Sequence, residues 1–132
     1  MASGNMRTPL SRVRGWGAAK AGTETFWRQR LTAVANVPLT IAFVVIVVSL
    51  LGRNHAAAAQ ILGSPLVAII MLLFIFSTTT HMRIGMKEII EDYVHEEPMR
   101  VILLMGNTFF TLAVALAAAY GILRLSFGVF GV

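Results

Sequence analysis

Residues that can do chemistry cluster at the end of a long apolar stretch of the sequence. His81 lies just inside that stretch, and the pair Asp92-Tyr93 follows it in the charged run beyond. An ionisable group inside a membrane span is costly and is by default a candidate for function. An imidazole can bind a metal or move a proton, and a phenol beside a carboxylate can donate a hydrogen bond to a bound ligand. These three residues are therefore the first candidates for a site.

Two interpretations of His81 are open. The ring can be neutral and hydrogen-bonded to a neighbouring helix, or it can be an axial ligand of haem iron. On a helix, residues three or four apart share a face. One such face carries the residues Thr78, His81, Gly85, Glu88 and Asp92. The lack of a side chain at Gly85 would let a planar group approach the backbone beside the ring, whereas the threonine hydroxyls can bond back to helical carbonyls.

The chain has no second histidine within reach of the same iron. By helix rise, His55 lies roughly 30 Å from His81 and His95 roughly 20 Å from it. Met82 and Met86 point elsewhere on the same helix. A second strong ligand would have to come from another chain, so the haem interpretation implies a partner.

Arg30 and Tyr93, near the same membrane edge, have two interpretations each. Arg30 can be an anchor that extends to the headgroups, or it can pair with an anionic group such as a haem propionate. Tyr93 can be an interfacial aromatic residue, or it can donate to a quinone carbonyl while Asp92 orients the ring or relays protons. In a continuous helix, Tyr93 points about 120° away from His81, so the two would serve different sites.

The composition indicates a membrane protein. The chain has 132 residues, of which 57% are hydrophobic and only 13% charged, and its mean hydropathy is +0.76. A soluble domain has about 25% charged residues. The absence of cysteine excludes disulfides and thiolate chemistry. The net charge of +5 gathers at the amino end, which fits a membrane surface better than nucleic acid.

Three apolar stretches are long enough to cross a bilayer, which takes roughly 20 helical residues. They cover about 31–51, 61–86 and 101–127. The sequence therefore predicts an all-α membrane protein with three transmembrane helices.

The basic residues predict the orientation of these helices. They are dense in the flank before residue 31 and present in the second connector, whereas the first connector holds only Arg53. The amino terminus and the second connector are therefore expected on the cytoplasmic (or matrix) side. The predicted organisation is a basic cytoplasmic flank at 1–30, a three-helix membrane anchor domain at 31–127 and a short periplasmic tail at 128–132.

Two stretches of the chain resemble a known family. The run HMRIGMKEIIEDYVHEE, with Tyr93 twelve residues after His81, resembles the signature of the hydrophobic membrane anchor (D subunit) of succinate dehydrogenase, respiratory complex II. The stretch GTETFWRQRLTAVANVPL resembles the family's entry into its first span, with the family's arginine falling on Arg30. The general pattern is similar to alphaproteobacterial and mitochondrial members.

The resemblance implies roles for the candidate residues. His81 would be an axial ligand of haem b, Tyr93 would hydrogen-bond ubiquinone with Asp92 beside it, and Arg30 would lie near a haem propionate or the quinone approach. The sequence departs from the family at Arg83, where the family varies. This arginine would either reach the headgroups or contact a propionate in place of Arg30.

The resemblance also implies a function and partners. The chain would be a subunit of succinate:ubiquinone oxidoreductase in a heteromeric helix bundle, and would not be catalytic alone. Its partners would be a companion cytochrome b anchor (C subunit) that supplies the second haem ligand, the iron–sulfur subunit, the flavoprotein subunit and the bilayer. The expected location is the bacterial inner membrane, with the mitochondrial inner membrane as the alternative. Two other functions stay open: a haem-free anchor that binds quinone, and a non-redox scaffold or transporter component.

Overall fold

All regular structure in the described part of the chain is helical. A computed structural model describes residues 19–129, with side chains from 22 to 128. The predictions for most of the basic flank and for the end of the tail lie outside this range. The described residues form four helices: α1 (Ala19–Leu50), α2 (His55–Gly63), α3 (Pro65–Tyr93) and α4 (Glu97–Val129).

Three of the helices are long and apolar enough to cross a membrane. These segments are Gly22–Leu50, Pro65–Tyr93 and Glu97–Gly128, with 29, 29 and 32 residues. At 1.5 Å per residue each is longer than the hydrocarbon core of about 30 Å, so their ends extend into the headgroup layers. The prediction of an all-α protein with three long membrane-crossing helices is confirmed.

The first helix begins twelve residues before the predicted span does. It starts at Ala19 rather than near residue 31, and this first part includes polar residues such as Glu24 and Gln29. Hydropathy detects only the part of a helix that lies in hydrocarbon, whereas backbone hydrogen bonding continues the helix beyond it. Residues 19–30 of the predicted basic flank are thus an extension of α1.

The first connector contains a helix that the sequence reading missed. Asn54 caps α2, and its Oδ1 accepts a hydrogen bond from the backbone N–H of Ala57 at 2.9 Å. Ser64 is extended, as the residue before a proline usually is, and Pro65 occupies the first turn of α3. The second span therefore starts at Pro65 and not at residue 61, because the residues before Ser64 belong to α2.

The third helix is the centre of the bundle. It packs against both α1 and α4, while α2 packs mainly against α4. Phe43 and Phe74 stack between α1 and α3 with ring centroids 4.6 Å apart. On the other side, the Asn107 side chain donates to the carbonyl of Arg83 at 3.0 Å. These contacts hold α3 between its two neighbours.

Most of the apolar surface of the spans faces outwards. At most 11% of the residues in the most apolar window of each span are buried within the chain. Because helices in lipid gain little from the hydrophobic effect alone, this surface can be covered equally by lipid or by helices of other chains.

Single cysteines can test the topology, because the natural sequence has none. Gln60 in α2 and Glu96 between α3 and α4 are both exposed. With α3 crossing the membrane between them, Gln60→Cys and Glu96→Cys should react with an impermeant maleimide from opposite sides. We expect Gln60→Cys to label in intact cells and Glu96→Cys only in inverted vesicles. The unmodified chain is the blank, and labelling of both positions from one side would refute the three-span arrangement.

Candidate functional site

A row of polar contacts joins α1 to α3 within the membrane region. The hydroxyl oxygen of Thr32 lies 3.1 Å from Nδ1 of His81. Ser77 donates to the carbonyl of Thr32 at 3.4 Å, and Thr78 donates to Oδ1 of Asn36 at 3.4 Å. We call these five residues the polar seam. Residue numbers rise along α1 as they fall along α3, so the two helices run antiparallel here.

The hydroxyls of the three consecutive threonines before His81 donate to different kinds of acceptor. Thr79 donates to the carbonyl of Ile75 at 2.6 Å, and Thr80 donates to that of Phe76 at 2.7 Å. These two hydroxyls bond back to their own helix, as expected. Thr78 differs from the expectation, because its hydroxyl turns to Asn36 on α1. Only the threonine on the α1 side of α3 is available to the seam.

His81 is half-buried, and one of its ring nitrogens is engaged. Thr32 Oγ1, which lies beside Nδ1, is also 2.9 Å from the carbonyl oxygen of Arg28 and 3.1 Å from that of Gln29. Within the described residues, Nδ1 is the ring nitrogen with a hydrogen-bond contact. The interpretation of His81 as a ring bonded to a neighbouring helix therefore matches the geometry. That contact uses one nitrogen of two, so it is compatible with a ligand role for Nε2.

The space beside Gly85 is closed by α1. The amide nitrogen of Gln29 lies 3.6 Å from the position that a Cβ at Gly85 would occupy. Oε1 of Gln29 is buried and has no hydrogen-bond partner within the described residues. A planar ligand at Gly85 would have to displace Gln29, contrary to the expectation of open space there. The orphaned oxygen is an acceptor available to a ligand or a partner chain.

A charged cleft lies beyond the seam, at the end where α1 begins and α3 ends. It encloses about 680 Å³ and includes Gln29 and Arg30 from α1 with Lys87, Glu88 and Glu91 from α3. The Arg30 guanidinium lies 4.3 Å from the centroid of the Phe26 ring, and Arg30 is exposed. The cation–π contact places the guanidinium beside this cleft.

Arg83 lies on a different side of α3 from His81. Arg83 is two positions after His81, and residues two positions apart in an α-helix are about 200° apart around its axis. Arg83 therefore lines a second cleft, of about 370 Å³, among α3, α4 and the start of α1. Threonines 79, 80, 108 and 111 also line this cleft, together with Arg28 and Lys87. Arg83 is exposed and lies away from the polar seam.

Asp92 and Tyr93 end α3 and are open to their surroundings. Both are exposed, and Tyr93 retains 78% of its accessible surface. Because α3 is continuous from His81 to Tyr93, the two residues are separated by about 18 Å along the axis and point about 120° apart. The structure does not bring the phenol and the imidazole into one site.

The remaining histidines lie away from His81. His55 begins α2 and lines a cleft with Arg124 at the opposite end of the bundle, and His95 lies in the connector between α3 and α4. Within the described residues, no three side chains of His, Cys, Asp or Glu come together to hold a metal ion. The described residues around His81 therefore do not form a metal site by themselves.

Sequence reasoning missed Thr32 and Gln29. Both are polar residues near the start of an apolar helix, and Thr32 lies one turn before Asn36, another polar residue of the same helix. A polar residue one turn from another on an apolar helix is the signal for a shared packing face. What the sequence lacks is the register of α1 against α3, which decides which polar group meets the imidazole.

Comparison with known proteins places the chain among respiratory membrane subunits. A family model described as succinate dehydrogenase/fumarate reductase transmembrane subunit matches residues 4–120. The succinate dehydrogenase hydrophobic membrane anchor subunit of Paracoccus denitrificans is 29% identical over 121 residues, which cover 92% of this chain and 93% of the relative. No solved structure matches significantly. The resemblance identified from the sequence is confirmed.

Substitutions at Gly85 test the close packing of α1 on α3. A methyl group there would meet Gln29 at an ordinary van der Waals distance, so Gly85→Ala should leave the apparent melting temperature of the purified protein nearly unchanged. Gly85→Leu should lower it, because overpacking costs about 1–3 kcal/mol. Gly106→Leu is the matched control, since nothing lies within 4 Å of a Cβ at that position. Equal melting temperatures for Gly85→Leu and Gly106→Leu would contradict the packing.

Proposed function

The chain belongs to the family of succinate dehydrogenase/fumarate reductase transmembrane subunits, and from this premise we propose that it binds haem b and ubiquinone and helps pass electrons from an iron–sulfur subunit to the quinone. It is a multi-pass membrane protein and a membrane anchor subunit. Its proposed location is the bacterial inner membrane. Succinate oxidation itself would occur on the flavoprotein subunit, because this chain carries no flavin or dicarboxylate motif.

The haem proposal rests on the burial of the His81 ring and on the hydrogen-bond contact of its Nδ1. The ring is half-buried within a membrane-crossing helix, where water competes poorly for a metal. Its Nδ1 is engaged by Thr32, which leaves Nε2 for a ligand bond. A metal-binding histidine usually has its second nitrogen held by such a partner. His81 would therefore hold a haem iron through Nε2.

The second iron ligand would come from the companion anchor subunit. His55 begins α2 and His95 lies in the connector after α3, and both are outside the reach of an iron at His81. The outward-facing apolar surface of α1, α3 and α4 gives a second anchor chain room to pack against this one. Haem b, when bound, supplies a one-electron redox centre between the two chains.

Arg30 is proposed to bind a haem propionate or to lie beside the path by which the quinone approaches. It lies two residues before Thr32 and at the mouth of the charged cleft, at the end of the bundle where α3 leaves the membrane. Its guanidinium is exposed and already oriented by Phe26, so it can make a forked bond to a carboxylate. We assign this role to Arg30 in preference to Arg83, which lines the cleft on the α4 side.

Tyr93 and Asp92 are proposed to serve the quinone. Reducing a quinone to a quinol takes two electrons and two protons. Tyr93 is the last residue of α3, and its exposed hydroxyl can donate a hydrogen bond to a quinone carbonyl. Asp92 is exposed beside it and can take up protons from water for the reaction. The exposure of both side chains leaves room for the quinone and for the iron–sulfur subunit.

Replacement of each histidine in turn tests the haem proposal. In the assembly purified through this chain, His81→Ala should lower the ratio of haem to protein about tenfold or more, because it removes an iron ligand in the membrane interior. His55→Ala and His95→Ala are matched controls and should keep the normal ratio. The measurement is the haem b band in the dithionite-reduced spectrum.

The same preparation separates the alternatives. Equal haem content in the three variants would refute His81 as a ligand. An unmodified assembly with the soluble subunits but no haem band would identify a haem-free anchor. Absence of the soluble subunits would favour a non-redox scaffold or transporter component.

Tyr93→Phe tests the quinone proposal, because it keeps the ring and removes only the hydroxyl. The loss of a hydrogen bond worth about 0.5–1.5 kcal/mol should slow quinone reduction several-fold. Succinate oxidation by an artificial acceptor that bypasses the membrane site should stay normal, as should the haem content, because Tyr93 lies about 18 Å from His81 along the helix. Unchanged quinone reductase activity in a fully assembled variant would leave Tyr93 as an interfacial anchor only.

A further inference from the structure

We propose that Thr32 is a positioning residue for His81: its hydroxyl oxygen accepts the hydrogen of Nδ1, so that the ring presents an unprotonated Nε2 to the iron. The inference rests on the proposed function, in which His81 binds haem iron. It begins from the contact of 3.1 Å between Thr32 Oγ1 and His81 Nδ1.

The hydrogen bonds of Thr32 determine the direction of this contact. Its hydroxyl has one hydrogen, and the carbonyl oxygens of Arg28 and Gln29 lie 2.9 and 3.1 Å from Oγ1. Both carbonyls can only accept, and a threonine in a helix commonly donates to the carbonyl four residues earlier. With the hydroxyl hydrogen used in this way, Oγ1 has a lone pair for His81, and Nδ1 must be the donor.

The opposite direction is less favourable in this environment. If the hydroxyl donated to Nδ1, the hydrogen of the neutral ring would be on Nε2. Within the described residues, Nε2 has no acceptor, and an unpaired donor inside a membrane span is costly. A protonated Nε2 could not bind iron either. Thr32 therefore selects the tautomer that a haem ligand needs.

The contact also has an electronic consequence for a ligand. A hydrogen bond from Nδ1–H to an acceptor increases the electron donation of the imidazole and fixes its orientation. Stronger donation favours ferric over ferrous iron and lowers the reduction potential. Thr32 is suited to hold the ring because its hydroxyl is hydrogen-bonded to backbone carbonyls of α1. The backbone carbonyl of Thr32 also accepts a hydrogen bond from Ser77 of α3 at 3.4 Å.

Thr32→Val in the purified whole assembly removes the acceptor and keeps the shape of the side chain. We expect the midpoint potential of the haem to rise, the EPR g values of the ferric haem to shift, and haem transfer to apomyoglobin to become about tenfold faster, as is typical when the partner of a metal-binding histidine is lost. Thr32→Ser, which keeps the hydroxyl, should restore all three values.

Thr108→Val is the matched control, because the Thr108 hydroxyl donates only to Leu104 of its own helix at 3.0 Å. It should leave the potential, the spectrum and the transfer rate unchanged. If Thr32→Val loses the haem entirely, recovery by Thr32→Ser supports the inference, and equal loss in both variants overturns it as a packing effect.

The outcomes distinguish this inference from the proposed function. Normal potential, g values and transfer rate in Thr32→Val, together with haem loss in His81→Ala, would overturn the role of Thr32 and leave His81 as the ligand. Full haem content in His81→Ala would overturn both.

Discussion

A polar atom in hydrocarbon has no water to bond, and this constraint governs how α1 meets α3. His81, Asn36 and Thr78 all lie in membrane-crossing helices. Their polar atoms find one another across a single interface, where Thr32 meets the imidazole at 3.1 Å. Each of these bonds is worth little by itself, about 0.6 kcal/mol on average in a membrane. Together they select one register of the two helices, which determines the direction in which the histidine ring points.

Two features of the chain leave room for another molecule: its exposed apolar surface and the second nitrogen of the His81 ring. Its spans bury few of their residues within the chain, so the apolar surface requires lipid or other helices. The imidazole has one nitrogen engaged and a second that can bind a ligand, and no other histidine lies near it. A membrane anchor that shares a cofactor with a companion subunit has both properties. Because the three long helices bury few of their residues against one another, a partner chain would have access to the His81 ring.

The sequence predicts the parts of this structure that depend on local properties. Hydropathy located the three spans, and the spacing of His81 and Tyr93 identified the family. The helix α2 has a capping signal in Asn54 before HAAAAQ, but with 9 residues it is too short for hydropathy to distinguish it from a connector. The contact of Thr32 with His81 and the approach of Gln29 to Gly85 depend on the packing of helices distant in sequence. The periodicity of the sequence shows which residues share a face of one helix, but it does not show which residues of a neighbouring helix they contact.

The proposed coordination of iron by His81 is tested most directly by a cryo-electron microscopy map of the whole assembly purified through this chain, at a resolution that shows side chains. We expect density for a planar group between α3 and a helix of the companion anchor, bonded to Nε2 of His81 and to a ligand from the companion. Nδ1 should remain beside Thr32. A haem ligated entirely by other residues, or an interface at His81 filled only by protein side chains or lipid, would contradict the role assigned to this histidine.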